Sequence, residues 1–194
     1  MPKIQDIQVK PSPWRPLSES EQARVCAVAV ELIKRLDYVT DWRLQKTYYL
    51  AEVWSIEERI RRLSALDFAS WNHGPWSLPL REAEEALETQ GILVRVIRPA
   101  RRRPEAEFLK VQSSVVAPSL PADDAEFLEA VIDQVKFLDG ETLTRVTKTT
   151  SPYQLAKPMA LIDLDGHLES LRRKHERLQN SPRVVALIEE ARRE

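Results

Sequence analysis

The sequence predicts a mainly α-helical (α+β) domain that carries one small, winged-helix-like antiparallel β-hairpin. Three observations indicate this fold class. The chain has 194 residues and 43% of them are hydrophobic, so it can bury a core. Only 4 glycines accompany 13 prolines, which disfavours glycine-rich phosphate loops and turn-rich β-sandwiches. Capped segments with helical periodicity fill most of the chain, and two short β-branched segments flank a basic stretch.

The N-terminal half is predicted to hold an arm and three helices. Residues 1–17 contain four prolines and predict an extended arm. The capping box Ser18–Glu21 begins a helix that runs to about Leu36 and is apolar on two sides, as in a central helix. Thr40 or Asp41 caps a second, amphipathic helix, which the charged stretch 57–62 extends or follows. A third helix spans about residues 78–89 and ends near a glycine C-cap at position 91.

A β-hairpin and further helices are predicted for the rest of the chain. Residues 92–97 and 108–116 predict two strands joined by a long basic loop, which resembles the wing of a winged helix. Helices are predicted at about 122–138, 141–149, 167–179 and 182–193, and Ser151-Pro152 begins a further turn. We therefore expect a domain over 18–160 with its hairpin at about 92–116. The helices of 161–194 should pack on that domain or extend it.

Charge and cysteine usage limit the possible partners and compartment. The net charge of −1 gives no overall attraction to a polyanion or a membrane. Five arginines crowd one stretch, at 95, 98 and 101–103, and five acids crowd 123–133, which predicts separate basic and acidic faces. The single cysteine, Cys26, lies in an apolar run and predicts a buried side chain in a reducing compartment. We see no signal region and no membrane span, so we expect a cytoplasmic protein.

No catalytic or metal-binding set is convincing in the sequence. The three histidines and the lone cysteine lack metal-ligand spacing, and Asp163–Gly166 has only part of a calcium loop. A triad built from His73, Asp67 and a nearby serine has no nucleophile elbow, and a capping role for Asp67 or Ser77 is the better interpretation. We therefore predict no enzyme activity, no metal and no cofactor. An enzyme that uses a pocket at His73 remains the weakest alternative.

Two segments differ from an ordinary helical surface: Leu44–Leu50, with two adjacent tyrosines, and Trp71–Ser77, with two tryptophans around Asn-His-Gly-Pro. Large aromatics beside a forced turn indicate a binding site or a shaped core corner. We assign a structural role to a first set of residues: Leu44, Lys46, Tyr48, Trp71, Gly74 and Pro75. We assign partner contact to a second set: Tyr49, His73 and Trp76.

The basic loop also has two interpretations. Arg101, Arg102 and Arg103 could contact a partner, either the phosphates of DNA or an acidic protein surface. They could equally form a solvated hairpin tip. The near-neutral chain and the lack of an aromatic residue in the loop weigh against nucleic acid.

The two segments together resemble the Panacea domain, the family of SocA-like antitoxins. The similarity rests on Leu44–Leu50 and Phe68–Ser77 and covers about residues 20–155. Two positions differ: the family often has Tyr where this chain has His73, and a Thr-His pair where it has Thr147-Lys148. The resemblance implies a non-catalytic protein that neutralises a toxin by binding it, with transfer to a protease system in one type. The alternative is a winged-helix DNA-binding protein or operon repressor that uses the arginine loop.

Overall fold

Seven α-helices and two antiparallel β-hairpins make up the described part of the computed structural model, residues 13–100, 103–112 and 118–181. The predicted mainly α-helical class with a small β-hairpin is confirmed. The elements are α1 (Glu19–Leu36), α2 (Asp41–Arg59), β1 (Ala69–Trp71), β2 (Gly74–Trp76), α3 (Leu78–Thr89), β3 (Leu93–Ala100), β4 (Arg103–Val111), α4 (Ala122–Val135), α5 (Gly140–Thr149), α6 (Ser151–Leu155) and α7 (Leu164–Gln179). In the predicted N-terminal arm, residues 13–17 form neither helix nor strand, and residues 1–12 lie outside the described residues.

Helix α1 lies at the centre of the fold, as predicted. Its capping box is present: the Ser18 side chain accepts from the backbone N–H of Glu21, and the Glu21 carboxylate accepts from the N–H of Ser18 at 2.8 Å. Residues 25–30, Leu32 and Ile33 are buried, because α2, α3, α4 and β4 surround the helix. Cys26 is a buried free thiol, as predicted.

Helix α2 is buried almost all round over residues 44–53, so the prediction of an amphipathic helix is wrong. Residues 44–53 are buried without interruption. Gln45, Lys46 and Glu52 among them have long polar or charged side chains, yet these side chains are almost inaccessible. They can be buried because each bonds to the main chain of the segment that follows the helix.

The second hairpin, β3–β4, begins directly after α3. Gly91 has φ +71°, and the N–H groups of Gly91 and Ile92 bond to the carbonyls of Glu88 and Leu87, which forms a Schellman motif. The predicted long loop over 99–104 is wrong, since the strands extend to Ala100 and from Arg103. Pro99 is tolerated there because β3 is an edge strand. Residues 113–116 of the second predicted strand lie outside the described residues.

The two charge clusters of the sequence are partly paired within the described residues. Arg95 turns inward to Asp41 at 2.8 Å and Glu88 at 2.7 Å. Asp124, only 1% exposed, lies among three arginines. Those arginines are Arg24, Arg59 and Arg61. One member of each cluster is therefore neutralised inside the fold, whereas Arg98 and the other four acids are exposed, and the separate basic and acidic faces stay a prediction.

The C-terminal elements close the domain with boundaries that differ slightly from prediction. Helix α4 ends at Val135, where the guanidinium of Arg43 donates to the carbonyls of Val135 and Leu138, each at 2.8 Å. Helix α7 begins at Leu164, because the Asp163 carboxylate caps it by accepting from the N–H of Gly166 at 2.7 Å. No helix in the described ranges has the length and apolar character that a membrane span requires. The helix predicted for 182–193 lies outside them.

Candidate functional site

The Trp71–Ser77 segment forms a tight β-hairpin, which we call the corner (residues 69–77). Strands β1 and β2 pair from Ala69↔Trp76 to Trp71↔Gly74, so the sequence-based interpretation of a simple chain break was incomplete. Gly74 has φ +94°, which side chains rarely allow. On the other edge of β1, Leu161 forms a bridge with Ala69, so the corner is held on both sides.

Helix α2 fixes β2 through two adjacent polar side chains. The amide of Gln45 accepts from the N–H of Ser77 at 2.8 Å and donates to its carbonyl at 3.0 Å. The Nζ atom of Lys46 donates to the carbonyl of Pro75 at 2.8 Å, and this residue is 2% exposed. The first segment of the sequence therefore holds the second segment in place.

The surroundings of Lys46 explain why position 74 is glycine. A Cβ atom at Gly74 would lie 3.0 Å from Cε of Lys46 and 3.2 Å from Oγ1 of Thr147. The Trp42 ring also lies beside the ammonium group, 5.2 Å from Nζ to the ring centroid. Burial, and secondarily the charge of Lys148, lower the pKa of Lys46 from 10.5 to about 8.

The lowered pKa of Lys46 predicts a pH dependence of stability. Between pH 8 and 10.5 the unfolded chain holds a proton that the folded chain has released, so the free energy of unfolding should rise with pH. The slope from this group is at most about 1.4 kcal/mol per pH unit. In urea titrations across this range the slope of the wild type should exceed that of Lys46→Met by up to this amount, because burial raises the pKa values of Cys26, Tyr48 and Tyr49 and so gives both proteins the same opposing contribution.

The exposed Lys110 provides the matched control for this measurement. Lys110→Met removes a lysine of the β3–β4 hairpin and leaves Lys46 in place, so the slope that Lys46 produces should remain. Identical slopes for wild type and Lys46→Met would contradict the assignment.

Helices α5 and α6 hold the turn of the corner from the opposite side. Lys148 donates from Nζ to the carbonyl of Asn72 at 2.6 Å, and the hydroxyl of Tyr153 donates to the carbonyl of Trp71 at 2.7 Å. The hydroxyls of Tyr49 and Thr150 lie 2.7 Å apart. Tyr49 is fully buried, so its predicted role as a partner-contacting residue does not fit the structure.

Three tryptophans lie on the outer side of the corner. The ring centroids of Trp71 and Trp76 are 5.4 Å apart, and those of Trp76 and Trp14 are 5.9 Å apart, both in edge-to-face geometry. Trp71 is 41% exposed, although its predicted role was structural. His73 at the turn is also exposed. We call Trp14, Trp71, His73 and Trp76 the tryptophan surface.

The remaining predicted site residues are either buried in the core or lie outside the described residues. Leu44 and Tyr48 are in the core, and Pro75 is buried under Lys46. Arg101 and Arg102 lie outside the described residues, and so does the side chain of Arg103. Sequence reasoning missed Trp14, whose only signal was a large aromatic residue in an otherwise proline-rich arm.

The corner's hydroxyl groups serve structural bonds. Ser70 donates to the carbonyl of Lys157 at 2.5 Å, and Ser77 caps α3 by accepting from the N–H of Leu80. Within residues 13–100, 103–112 and 118–181, no three His, Cys, Asp or Glu side chains gather so as to hold a metal ion. The corner therefore presents a braced aromatic surface, and such surfaces are typical of protein–protein contacts.

One of three comparisons with known proteins found a match. A family model described as "Antitoxin SocA-like, Panacea domain" matches residues 44–153. The match runs from Leu44 in α2 to Tyr153, and so includes the residues of α2, α5 and α6 that hold the corner. Neither the search of curated proteins nor the search of solved structures found a match.

Proposed function

The chain belongs to the Panacea-domain family of SocA-like antitoxins, and we propose that it neutralises a cognate toxin by binding it directly through the tryptophan surface. The observation that supports this proposal most directly is the exposure of Trp71. This residue is 41% exposed, while its carbonyl accepts from the Tyr153 hydroxyl and its strand pairs with β2. An exposed indole on a braced backbone loses little conformational entropy on binding, and tryptophans are enriched among binding hot spots.

The same proposal gives the protein no catalytic role and a cytoplasmic location. Its one cysteine is a buried free thiol, which is typical of a reducing compartment. The resemblance also suggests delivery of the bound toxin to a cytoplasmic protease system. The direct test of antitoxin function is co-expression with the product of the adjacent gene. It should restore growth and yield a co-purifying complex, and a harmless neighbour or the lack of a complex would contradict the proposal.

Trp71→Ala should weaken toxin binding at least about thirtyfold, because a central hot-spot tryptophan contributes about 2 kcal/mol or more. The measurement is isothermal titration calorimetry with the purified neighbour protein. Phe137→Ala is the control: Phe137 follows α4, is 86% exposed and lies outside the tryptophan surface. Equal affinities for the two variants would overturn the assignment of the surface.

A second candidate function is operon repression by DNA binding through the β3–β4 hairpin. Arg98 and Lys110 are exposed and both lie over the ring of Tyr38, at 3.8 Å and 5.0 Å from its centroid. The register Val94↔Lys110 and Arg98↔Ala106 puts their side chains on one face of the hairpin. Two cations on one face of a hairpin whose sequence also has arginines at 101–103 favour an anionic partner.

Replacement of Arg101, Arg102 and Arg103 with Ala discriminates the two candidates. For a repressor, gel shifts on the operon's promoter should weaken similarly for all sequences, and the salt slope should fall by about one unit for each phosphate that the variant no longer neutralises. For a toxin contact, DNA binding should be negligible at physiological salt, and complex formation at low salt should slow in the variant. A variant equal to wild type in both assays would leave the loop as a solvated tip.

A further inference from the structure

A groove separates α6 and the following segment, residues 156–161, from α7. We call it the α6–α7 groove; its volume is about 810 Å³. Pro152, Leu155, Leu161 and Leu171 supply its apolar wall. Leu155 is 81% exposed, and Met159 in the same segment is 56% exposed. Large aliphatic side chains grouped in this way on a surface are typical of a site that a partner covers.

The rim of the α6–α7 groove is basic. Lys157, Arg173 and Lys174 line it and are exposed. Asp163 is the one carboxylate among the described residues that line it, and its Oδ1 atom already accepts from the N–H of Gly166 at 2.7 Å. The groove therefore combines apolar side chains with a net positive rim, which complements an acidic segment that has an apolar face.

The wall of the groove is fixed in position by β1. The N–H of Met159 donates to the carbonyl of Ser70 at 2.9 Å, and the N–H of Ser70 donates to the carbonyl of Ala160 at 2.9 Å. Met159 has φ +62°, a conformation that such ties maintain. A wall held by main-chain bonds is pre-organised, so a partner would pay little ordering entropy there.

The groove is also connected to the tryptophan surface. Strand β1 carries Trp71 at its end, and Leu161 on the groove wall bridges Ala69 of the same strand. Tyr153 of α6 donates its hydroxyl to the carbonyl of Trp71. The tryptophan surface and the groove therefore share β1 and α6 as a common support.

We propose that the α6–α7 groove docks an acidic amphipathic helix of the same toxin that covers the tryptophan surface, an inference that rests on the proposed function. An amphipathic helix places apolar residues at i, i+3, i+4 and i+7, which suits a groove with an aliphatic wall. Nucleic acid fits less well, because no Phe, Tyr or Trp ring for base stacking is among the described residues that line it.

The test compares charge reversal inside and outside the groove. Arg173→Glu/Lys174→Glu should weaken binding of the neighbour protein on the order of tenfold at low salt, with most of the loss in the association rate. Arg145→Glu/Arg172→Glu is the matched control, since both arginines are exposed and neither lines the groove. The control should stay within about twofold of wild type. Leu155→Asp should also weaken binding, and its 81% exposure makes it a safe change for folding.

The outcomes separate this inference from the proposed function. If wild type and both double variants bind the neighbour protein equally, the groove inference fails while the antitoxin proposal stands. If wild type does not bind the neighbour, the antitoxin proposal fails. The groove is then judged with a labelled 16-residue helical peptide that has Leu at i, i+3, i+4 and i+7 and Glu elsewhere. Binding that Arg173→Glu/Lys174→Glu abolishes supports the groove. No binding, or tighter binding of duplex DNA that the same variant abolishes, overturns the inference.

Discussion

Gly74→Val should lower the free energy of unfolding by about 2–6 kcal/mol. A β-branched residue at φ +94° costs about 1–3 kcal/mol in backbone strain. The methyl groups must also displace Lys46 and Thr147, which a bare Cβ would already approach to 3.0 and 3.2 Å, and such overpacking costs about a further 1–3 kcal/mol. Urea denaturation followed by circular dichroism measures the change.

Gly91→Val is the matched control for the crowding part of this loss. Gly91 has φ +71°, but no atom lies within 4 Å of the position that a Cβ would take. Gly91→Val should therefore lose stability through backbone strain alone. The difference in the free energy of unfolding between the two variants then measures the cost of crowding around Lys46. Equal losses of stability in Gly74→Val and Gly91→Val would contradict the contribution from crowding. An unchanged melting temperature for Gly74→Val would contradict the whole prediction. Since β2 carries Trp76, we also expect Gly74→Val to weaken toxin binding.

Local signals in the sequence predicted most of the elements. The capping box at Ser18 and the glycine C-cap at Gly91 each specify a helix end through neighbouring residues alone, and both appear in the structure. The β3–β4 hairpin was also predicted, but its loop was drawn too long. Prolines and arginines usually mark loops, yet an edge strand accepts both when its outer side faces solvent.

The bonds of α2 could not be predicted in this way. Gln45 bonds to Ser77 and Lys46 bonds to Pro75, 32 and 29 positions further along the chain. The sequence pattern predicted an amphipathic helix, because periodicity contains no information about a distant main-chain segment that covers the polar side of the helix. Similarly, Tyr49 was predicted to contact a partner but is buried, and Trp71 was predicted to be structural but is exposed. The motif shows that aromatic residues are present, but not which side of the corner each one occupies.

Arg62→Ala should be strongly destabilising, by about 3–5 kcal/mol near neutral pH, because it leaves a buried carboxylate without its cation. Glu52 is fully buried and accepts from the N–H groups of Leu63 and Ser64, at 3.2 and 2.7 Å. Its contact with Nε of Arg62 is 3.1 Å. Burial raises the pKa of Glu52, and Arg62 opposes that rise. Equilibrium urea unfolding of the variant at pH 5 and pH 8 tests the prediction.

The pH dependence of the Arg62→Ala loss has a defined sign. Without Arg62 the pKa of Glu52 in the folded protein rises further. When a carboxyl group has a higher pKa in the folded protein than in the unfolded chain, the free energy of unfolding falls as pH increases above the pKa of the unfolded chain. The loss should therefore be larger at pH 8 than at pH 5, and Glu52→Gln in the Arg62→Ala background should recover part of it.

Arg61→Ala is the control for this prediction. Arg61 is 41% exposed, and Asp124 keeps its ion pairs with Arg24 and Arg59 in the variant, so Arg61→Ala should cost about 1 kcal/mol or less. If Arg62→Ala and Arg61→Ala cost the same at both pH values, Glu52 does not anchor residues 62–64, and the polar face of α2 has another role.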